Sequence, residues 1–540
     1  SPSASMAAAG SAAAGRPKLG EEKLIIRPEK VRFIDILSLL ILRRPITSYA
    51  FVDAGDQTTR DVGITPGDIF VTLTEIIQKA LAAAYYPAKI IGAIVELLLN
   101  FFALNGGLLG IIWNIIRFKL VIPRREAANF RTMIGMIDGR TELKPAPAAS
   151  VGDMRQLQVL DVVVSGEVAD LESGGYVTAG TPLVLRQYLI LEITVMAAKI
   201  AYENAAFVKN VVNNVWKFNF VGFYNGWNRI TERIASINLY VSAEFLKEDT
   251  TQAFVFTDRA KDASVVVVAF RGTEPFNMQD WSTDVNLSWL GMGAMGHVHA
   301  GFLKALGLQE EDGKDTNRAF PKDAPNGAAP IGKHIAYYKL REVIRDQLKA
   351  HPQARLVITG HSLGGALAAV FPALLALHGE TEILGRLGTV QTYGQPRVGD
   401  ATFVSFFRAE VEKATAFYRV VYRYDVVPRV PFDAPPVAEF THGGSCVYYD
   451  GWYDGKVLPG DAPNPNYFDP RYLLSMYGNA LGDLLKGAFL WTRAGKDYRE
   501  GPVSLLYRAS GLLVPGLASH SPRDYVNAVR LGRIAPKSLL

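Results

Sequence analysis

The residues with the clearest chemical potential are Gly360-His361-Ser362-Leu363-Gly364. A serine hydroxyl is a poor nucleophile at neutral pH. It must stand clear of the backbone, beside a base, facing groups that bind an oxyanion. A tight turn between a strand and a helix meets the first condition, and glycines two residues to either side let the chain pass without collision. The chemistry offered is attack on an ester or related acyl bond. The flanks agree: Leu356-Val357-Ile358-Thr359 is apolar and β-favouring, as a buried parallel strand requires. Small residues after the serine let a long apolar helix pack close to a sheet.

Strand, turn and helix in this order form the nucleophile elbow of an α/β-hydrolase; the plainer reading is an ordinary βα turn that happens to hold serine. In that fold the acid and then the histidine follow the serine along the chain. Of eight histidines, His297, His299, His334, His351 and His361 precede Ser362, and His378 ends the helix after the turn. His442 and His520 remain. His520, in SHSPRDYV, sits in a Ser- and Pro-bearing loop before a short helix, which suits a proton shuttle, and topology favours it over His442 in FTHGG. For the acid, Phe417 to Tyr424 reads as a strand ending at Asp425, where open α/β sheets place their sites. Asp400 in TYGQPRVGD competes, and a strand-end aspartate that only caps a turn is the bland alternative. Two backbone N–H groups are needed for an oxyanion hole. Leu363 supplies one, and Thr273, after the apolar run Ser264 to Phe270, is the candidate for the other unless FRGT is a simple β-turn. No metal or cofactor is called for: the histidines are scattered and show no ligand cluster at zinc spacing.

These residues need a scaffold. A mostly parallel central sheet is expected, with a helix from Tyr188 to Val208 near its start and strands at Thr251 to Thr257 and Ser264 to Phe270. The hydrolase domain is placed at 181–540. Residues 303–335 turn charged and then Pro/Gly-rich, as a surface insertion would. Residues 275–296 carry Trp281, Trp289 and Leu290 with Met292 and Met295 beside the oxyanion loop. Such a segment suits a lid that hides apolar surface in water and opens at a lipid interface; an amphipathic packing segment is the alternative.

The chain has 540 residues, 49% of them apolar, and one cysteine, Cys446, so no internal disulfide is possible and a reducing compartment fits. A net charge of +5 without a basic, aromatic-interleaved run gives no ground for nucleic-acid binding. Residues 1–30 read as a disordered tail, with no secretory leader in evidence. An N-terminal region follows at 31–180, with an apolar core at 65–125. Ile90 to Ile116 is almost all apolar, with Glu96 its one charge. It is long enough to cross a bilayer, but Asn105-Gly106-Gly107 interrupts it and positive charge flanks both ends. A re-entrant hairpin or interfacial helices fit that pattern, as would a monotopic anchor on a lipid droplet; buried helices or a homo-oligomer interface are the other readings.

Taken together, VVVAFRGTEP, HVHAGF, VITGHSLGGALA, TYGQPRVGD, YDVVPRVP and HSPRDYV resemble the class 3 (fungal-type) lipases over roughly residues 190 to 530. With MAAKIAYENAAFV, FTHGGSCVYYDGWYD and the apolar extension, the chain looks most like the plant oil-body triacylglycerol lipases. The resemblance implies Ser362 as nucleophile, Asp425 as orienting acid, His520 as base, and Thr273 and Leu363 as oxyanion donors. It implies an acyl-lipid substrate and a droplet or membrane surface facing the cytosol. A phospholipase A1 or galactolipid acyl hydrolase with the same triad, and a non-enzymatic droplet coat, are the competing functions.

Overall fold

The structure, a computed structural model, describes residues 22–27, 30–42, 46–54, 69–144, 182–226, 251–274, 285–307, 322–323 and 336–534, apart from 414, 436 and 459. Thirteen strands are described: β1 (Lys23–Ile26), β2 (Val52–Ala54), β3 (Asn219–Gly226), β4 (Thr251–Thr257), β5 (Val265–Phe270), β6 (Trp289–Gly291), β7 (His297–His299), β8 (Arg355–His361), β9 (Leu387–Tyr393), β10 (Ala416–Tyr422), β11 (Ser445–Tyr449), β12 (Asp454–Leu458) and β13 (Arg533–Ile534). The helices used below are α1 (Phe33–Leu42), α2 (Ile69–Leu104), α3 (Gly107–Ile116), α4 (Pro182–Ile200), α5 (Ala300–Ala305), α6 (Ala336–Ala350), α7 (Leu363–Leu377), α8 (Ala401–Phe407), α9 (Leu473–Phe489), α10 (Pro502–Ser510) and α11 (Pro522–Leu531).

Nine strands form the main sheet in the order β13-β12-β11-β10-β9-β8-β5-β4-β3. The run β5-β8-β9-β10-β11 is parallel throughout. This is the α/β-hydrolase fold. Its middle is buried on both faces because helices cover each side. Alternation along β5 sorts its residues: Val266, Val268 and Phe270 join a core with α6 and α7, while Val265, Val267 and Ala269 join one with α4 and α11. A near-continuous Val/Ile run is what such two-sided burial requires. Cys446 lies fully buried in β11.

A second, antiparallel sheet has the order β2-β1-β6-β7. It changes two expectations. The tail placed at 1–30 contributes a strand, β1, whose Leu24, Ile25 and Ile26 are buried. Trp289 and Leu290, expected on a lid, lie buried in β6 between β1 and β7. Trp289 donates its indole N–H to the Val437 carbonyl at 3.0 Å. The partner that buries them is more than 250 residues away in sequence, so their apolar character locally mimics a flap. Trp281, with 275–284, lies outside the described residues.

Other boundaries shift for local reasons. The helix expected at Tyr188 to Val208 ends at Ile200, and a new helix starts at Ala205 because Asn204 accepts the Phe207 N–H at 2.9 Å, an N-cap. Part of the insertion expected at 303–335 belongs to α5, with Leu303 buried; 308–321 and 324–335 lie outside the described residues.

The apolar N-terminal stretch forms α2, 36 residues and roughly 54 Å long at ~1.5 Å per residue, and then α3. Gly106 and Gly107 both take φ 76°, a left-handed turn that glycine adopts without strain. Buried Asn105 locks the turn: its Nδ2 donates to the Phe101 and Val121 carbonyls at 2.9 and 2.8 Å, and its Oδ1 accepts the Val121 N–H at 2.9 Å. The two faces of α2 differ. Glu96 accepts the Met133 N–H at 2.8 Å, and Asn100 both donates to the Arg131 carbonyl (2.8 Å) and accepts its N–H (2.9 Å). On the other face Ile90, Ile94, Leu97, Leu98 and Phe102 are exposed. Nearer its start, Ile77 and Leu81 pack against the cluster of Val285, Val430 and Phe432, on which Tyr467 also packs.

Candidate active site

Ser362 sits between β8 and α7 with φ 59° and ψ −133°, a strained backbone that lifts its side chain out of the turn. Its N–H is held by the Tyr393 carbonyl at 2.9 Å. Gly364 is obligatory, since a Cβ there would collide with the Phe270 carbonyl oxygen. The elbow is therefore fixed by close approach of β5, β8 and α7.

The residues expected as acid and base lie at the carboxyl edge of the same sheet. Asp425 follows β10, and His520 ends a short helical turn, Ala518–His520, before α11. His520 Nδ1 lies 2.8 Å from Asp425 Oδ2 and 3.0 Å from Oδ1. Asp425 Oδ1 also accepts the Val427 N–H at 2.9 Å, and the Tyr525 hydroxyl donates to Oδ2. The carboxylate is thus oriented on both oxygens. Burial, and then the Asp425 charge, push the Tyr525 phenol well above its ordinary pKa, so it remains a proton donor.

The serine and the histidine both approach the end of β9. A Cβ on Gly394 would stand 3.0 Å from His520 Cε1 and 2.9 Å from Asp425 Oδ2, while the neighbouring Tyr393 carbonyl holds Ser362. The His361 and His520 rings lie 4.5 Å apart. The Ser362 hydroxyl is buried and makes no hydrogen bond among the described residues. Such contacts commonly tighten only when substrate binds. His361 Nδ1 is bonded to the Tyr202 hydroxyl at 2.7 Å, and its pKa is held well below the ordinary value by burial, then by His520. A neutral His361 neither competes for the serine proton nor repels a charged His520.

Thr273 and Leu363 flank the elbow, both buried. The preceding Gly272 fits against the His361 carbonyl and the Tyr202 hydroxyl, where any Cβ would collide. This close fit sets the 271–274 loop beside the N-terminus of α7. Arg429, fully buried, ties the loop after β10: it donates to the carbonyls of Asp425, Arg423, Asn464 and Pro463.

The competing residues lie elsewhere. His442 Nε2 bonds the Pro428 carbonyl at 2.8 Å, and burial holds its pKa well below the ordinary range. Asp400 caps α8 by accepting the Phe403 N–H at 2.8 Å and pairs with His297 at 2.9 Å. Sequence reasoning missed Tyr525, Tyr202 and Arg429. The one local sign was a charged residue, Arg429, inside the apolar Val-Val-Pro-Arg-Val-Pro run.

Residues 267–434 match the class 3 lipase family. The triacylglycerol lipase OBL1 of Arabidopsis thaliana is 35% identical over 94% of this chain and 94% of its own length. The triacylglycerol lipase OBL1 of Nicotiana tabacum is 35% identical over 86% of this chain and 83% of its own. The solved Rhizomucor miehei triacylglyceride lipase is 21% identical, covering 50% of this chain and 82% of that one, with a TM-score of 0.33. With an elbow serine on an α/β-hydrolase sheet and relatives matched along almost the whole chain, this protein belongs to the class 3 lipases and is a serine ester hydrolase.

Proposed function

We propose that this chain is a triacylglycerol lipase that acts at a lipid surface through Ser362, His520 and Asp425. The observation that carries the reading is the Asp425–His520 pair at 2.8 Å, set against the buried elbow serine. His520 takes the Ser362 proton as the hydroxyl attacks the ester carbonyl. The N–H groups of Leu363 and Thr273 receive the oxyanion, and His520 then protonates the departing glycerol oxygen. A water activated by the same imidazole releases the fatty acid. The relatives' names support triacylglycerol as substrate. The deciding experiment measures fatty-acid release from emulsified long-chain triacylglycerol by wild type and Ser362→Ala. Release by the wild type alone supports the reading. Release by both removes Ser362 as nucleophile, and activity only on phospholipid or galactolipid moves the substrate.

The α2–α3 hairpin is proposed as the lipid anchor, lying in the interface of a droplet's cytosolic surface rather than crossing a bilayer. Glu96 and Asn100, at the middle of the apolar stretch, are bonded to the protein, which leaves one outward apolar stripe. Leu109 is 82% and Phe118 97% exposed, and exposed Arg117 and Lys119 adjoin Phe118 in the chain as candidate headgroup-level cations.

A further inference from the structure

A second apolar face lies far along the chain from the hairpin. On α9, Leu474, Tyr477, Leu481, Leu485 and Phe489 recur on one exposed side, while Met476, Ala480, Asp483 and Gly487 pack inward. The turn Leu512-Leu513-Val514 after α10 is exposed as well; Leu474 and Leu513 are 87% and 81% exposed. Single surface leucines need no explanation, but a contiguous patch marks an interaction surface.

Three observations identify the occupant. The margin of the patch is layered. Trp452 is exposed with Lys486 over its ring, Trp491 carries Arg499 over its ring, and Arg493 and Lys496 are exposed nearby. Tryptophan and cations bordering an apolar centre match the order of a lipid–water boundary. The patch also connects to the hairpin helix. Ile77 and Leu81 of α2 pack on the Val285, Val430 and Phe432 cluster, as does Tyr467, whose hydroxyl donates to the Pro515 carbonyl, next to Val514. Finally, the patch leads into the catalytic edge and is fastened to it. Gly516 abuts the Tyr424 carbonyl, beside Asp425, and the chain then enters the His520 turn. Buried Arg508 of α10 pairs with Glu500 at 2.7 Å and with Asp524 of α11 at 2.8 Å. Asp483 of α9 pairs with Arg423 at 3.1 Å and Lys486 at 2.7 Å.

We propose that the face made by α9 and the 512–514 turn is a second lipid-contact surface, which seats the Asp425–His520 side of the hydrolase on a phospholipid-coated acyl-lipid particle. It rests on the reading that the substrate is an acyl lipid in its own phase. The hairpin tethers; this face orients.

The test uses the full chain with Leu474→Glu and Leu513→Glu combined, and Leu109→Glu as a separate hairpin variant. The probes are triolein emulsion coated with phosphatidylcholine, and soluble p-nitrophenyl acetate. The double variant is expected to lose emulsion hydrolysis by roughly ten-fold or more while soluble-ester hydrolysis stays within about two-fold, and Leu474→Phe with Leu513→Trp should restore the emulsion rate. Emulsion hydrolysis within about two-fold of wild type overturns the proposal. So does an equal loss on the soluble ester that the aromatic pair does not restore. A wild-type dimer in light scattering that the double variant splits, with emulsion rate kept, overturns it in favour of a second copy of this chain. If Leu109→Glu floats with the emulsion like wild type while the double variant loses its rate, the hairpin reading falls and this one stands. If neither enzyme releases fatty acid from triolein while both cleave the soluble ester, the substrate reading and the proposal fall together.

Discussion

Tyr525 donates its hydroxyl to the same Asp425 oxygen, Oδ2, that faces His520 Nδ1. A carboxylate held from a second side cannot rotate away from the imidazole. Tyr525→Phe should lower kcat by roughly 3- to 30-fold with KM little changed, and cost ~1–2 kcal/mol of stability. Steady-state kinetics over a pH series check this; a purely structural role would lower stability and leave kcat and its pH profile alone.

His520→Ala should reduce kcat by roughly 10³-fold or more, as loss of the proposed general base requires. His442→Ala should keep activity within about ten-fold, while losing its bond to the Pro428 carbonyl lowers the melting temperature. Parallel kinetics and thermal melts separate the two. The reverse pattern would make His442 the base.

Gly272→Ala tests the oxyanion loop. The new methyl would collide with the His361 carbonyl and the Tyr202 hydroxyl, pushing Thr273 from its place. The expected result is a kcat loss of about 10²-fold, larger than any change in KM, as for an oxyanion donor displaced from the reacting atom. A change confined to KM would point instead to substrate binding.

Glu203 provides a pH test. It accepts the Thr132 N–H at 2.9 Å and the Thr132 hydroxyl at 3.1 Å, and burial raises its pKa from 4.5 to about 7, with Lys199 and Arg131 opposing the rise. Between those values the folded chain holds a proton that the unfolded chain has released. Stability from this group therefore falls as pH climbs from 4.5 to about 7, by roughly 3 kcal/mol at most. Glu203→Gln, always neutral, should flatten the melting temperature across that window. A wild-type profile already flat there would refute the shift.

Leu109→Glu together with Phe118→Glu should reduce flotation with phospholipid-coated emulsion at least several-fold without changing hydrolysis of a soluble ester. Both side chains point outward, so folding should be unaffected. Full flotation by this variant would place the anchor elsewhere.

The elbow was legible in the sequence because every feature it needs is local: a Val/Ile-rich strand, spaced glycines, and small residues opening a helix. Chain order and strand ends singled out Asp425 and His520, and the structure brings these two side chains into contact. Tyr525 was not, because its partner lies 100 residues away and nothing in Arg523-Asp524-Tyr525 reveals which face of α11 meets β10. β1 and β6 failed for the same reason: Ile26 N–H donates to Ser288 Oγ at 2.8 Å across 262 residues, so two short apolar segments looked like a tail and a lid. For α2, composition gave the apolar stretch but not its sidedness, which Arg131 and Met133 impose on Asn100 and Glu96 from outside the helix.

The packing of Ile77 and Leu81 on Val285, Val430 and Phe432 also sets an order of events during synthesis. The hairpin leaves the ribosome well before the segment that covers its base has been made. At about 5–20 residues per second that interval lasts on the order of 20–80 s. Throughout it the base of α2, at Ile77 and Leu81, is without its later protein partner, and a lipid surface or a chaperone can compete for it. If the hairpin is the proposed anchor, the chain can be tethered before the sheet that carries Asp425 and His520 is complete.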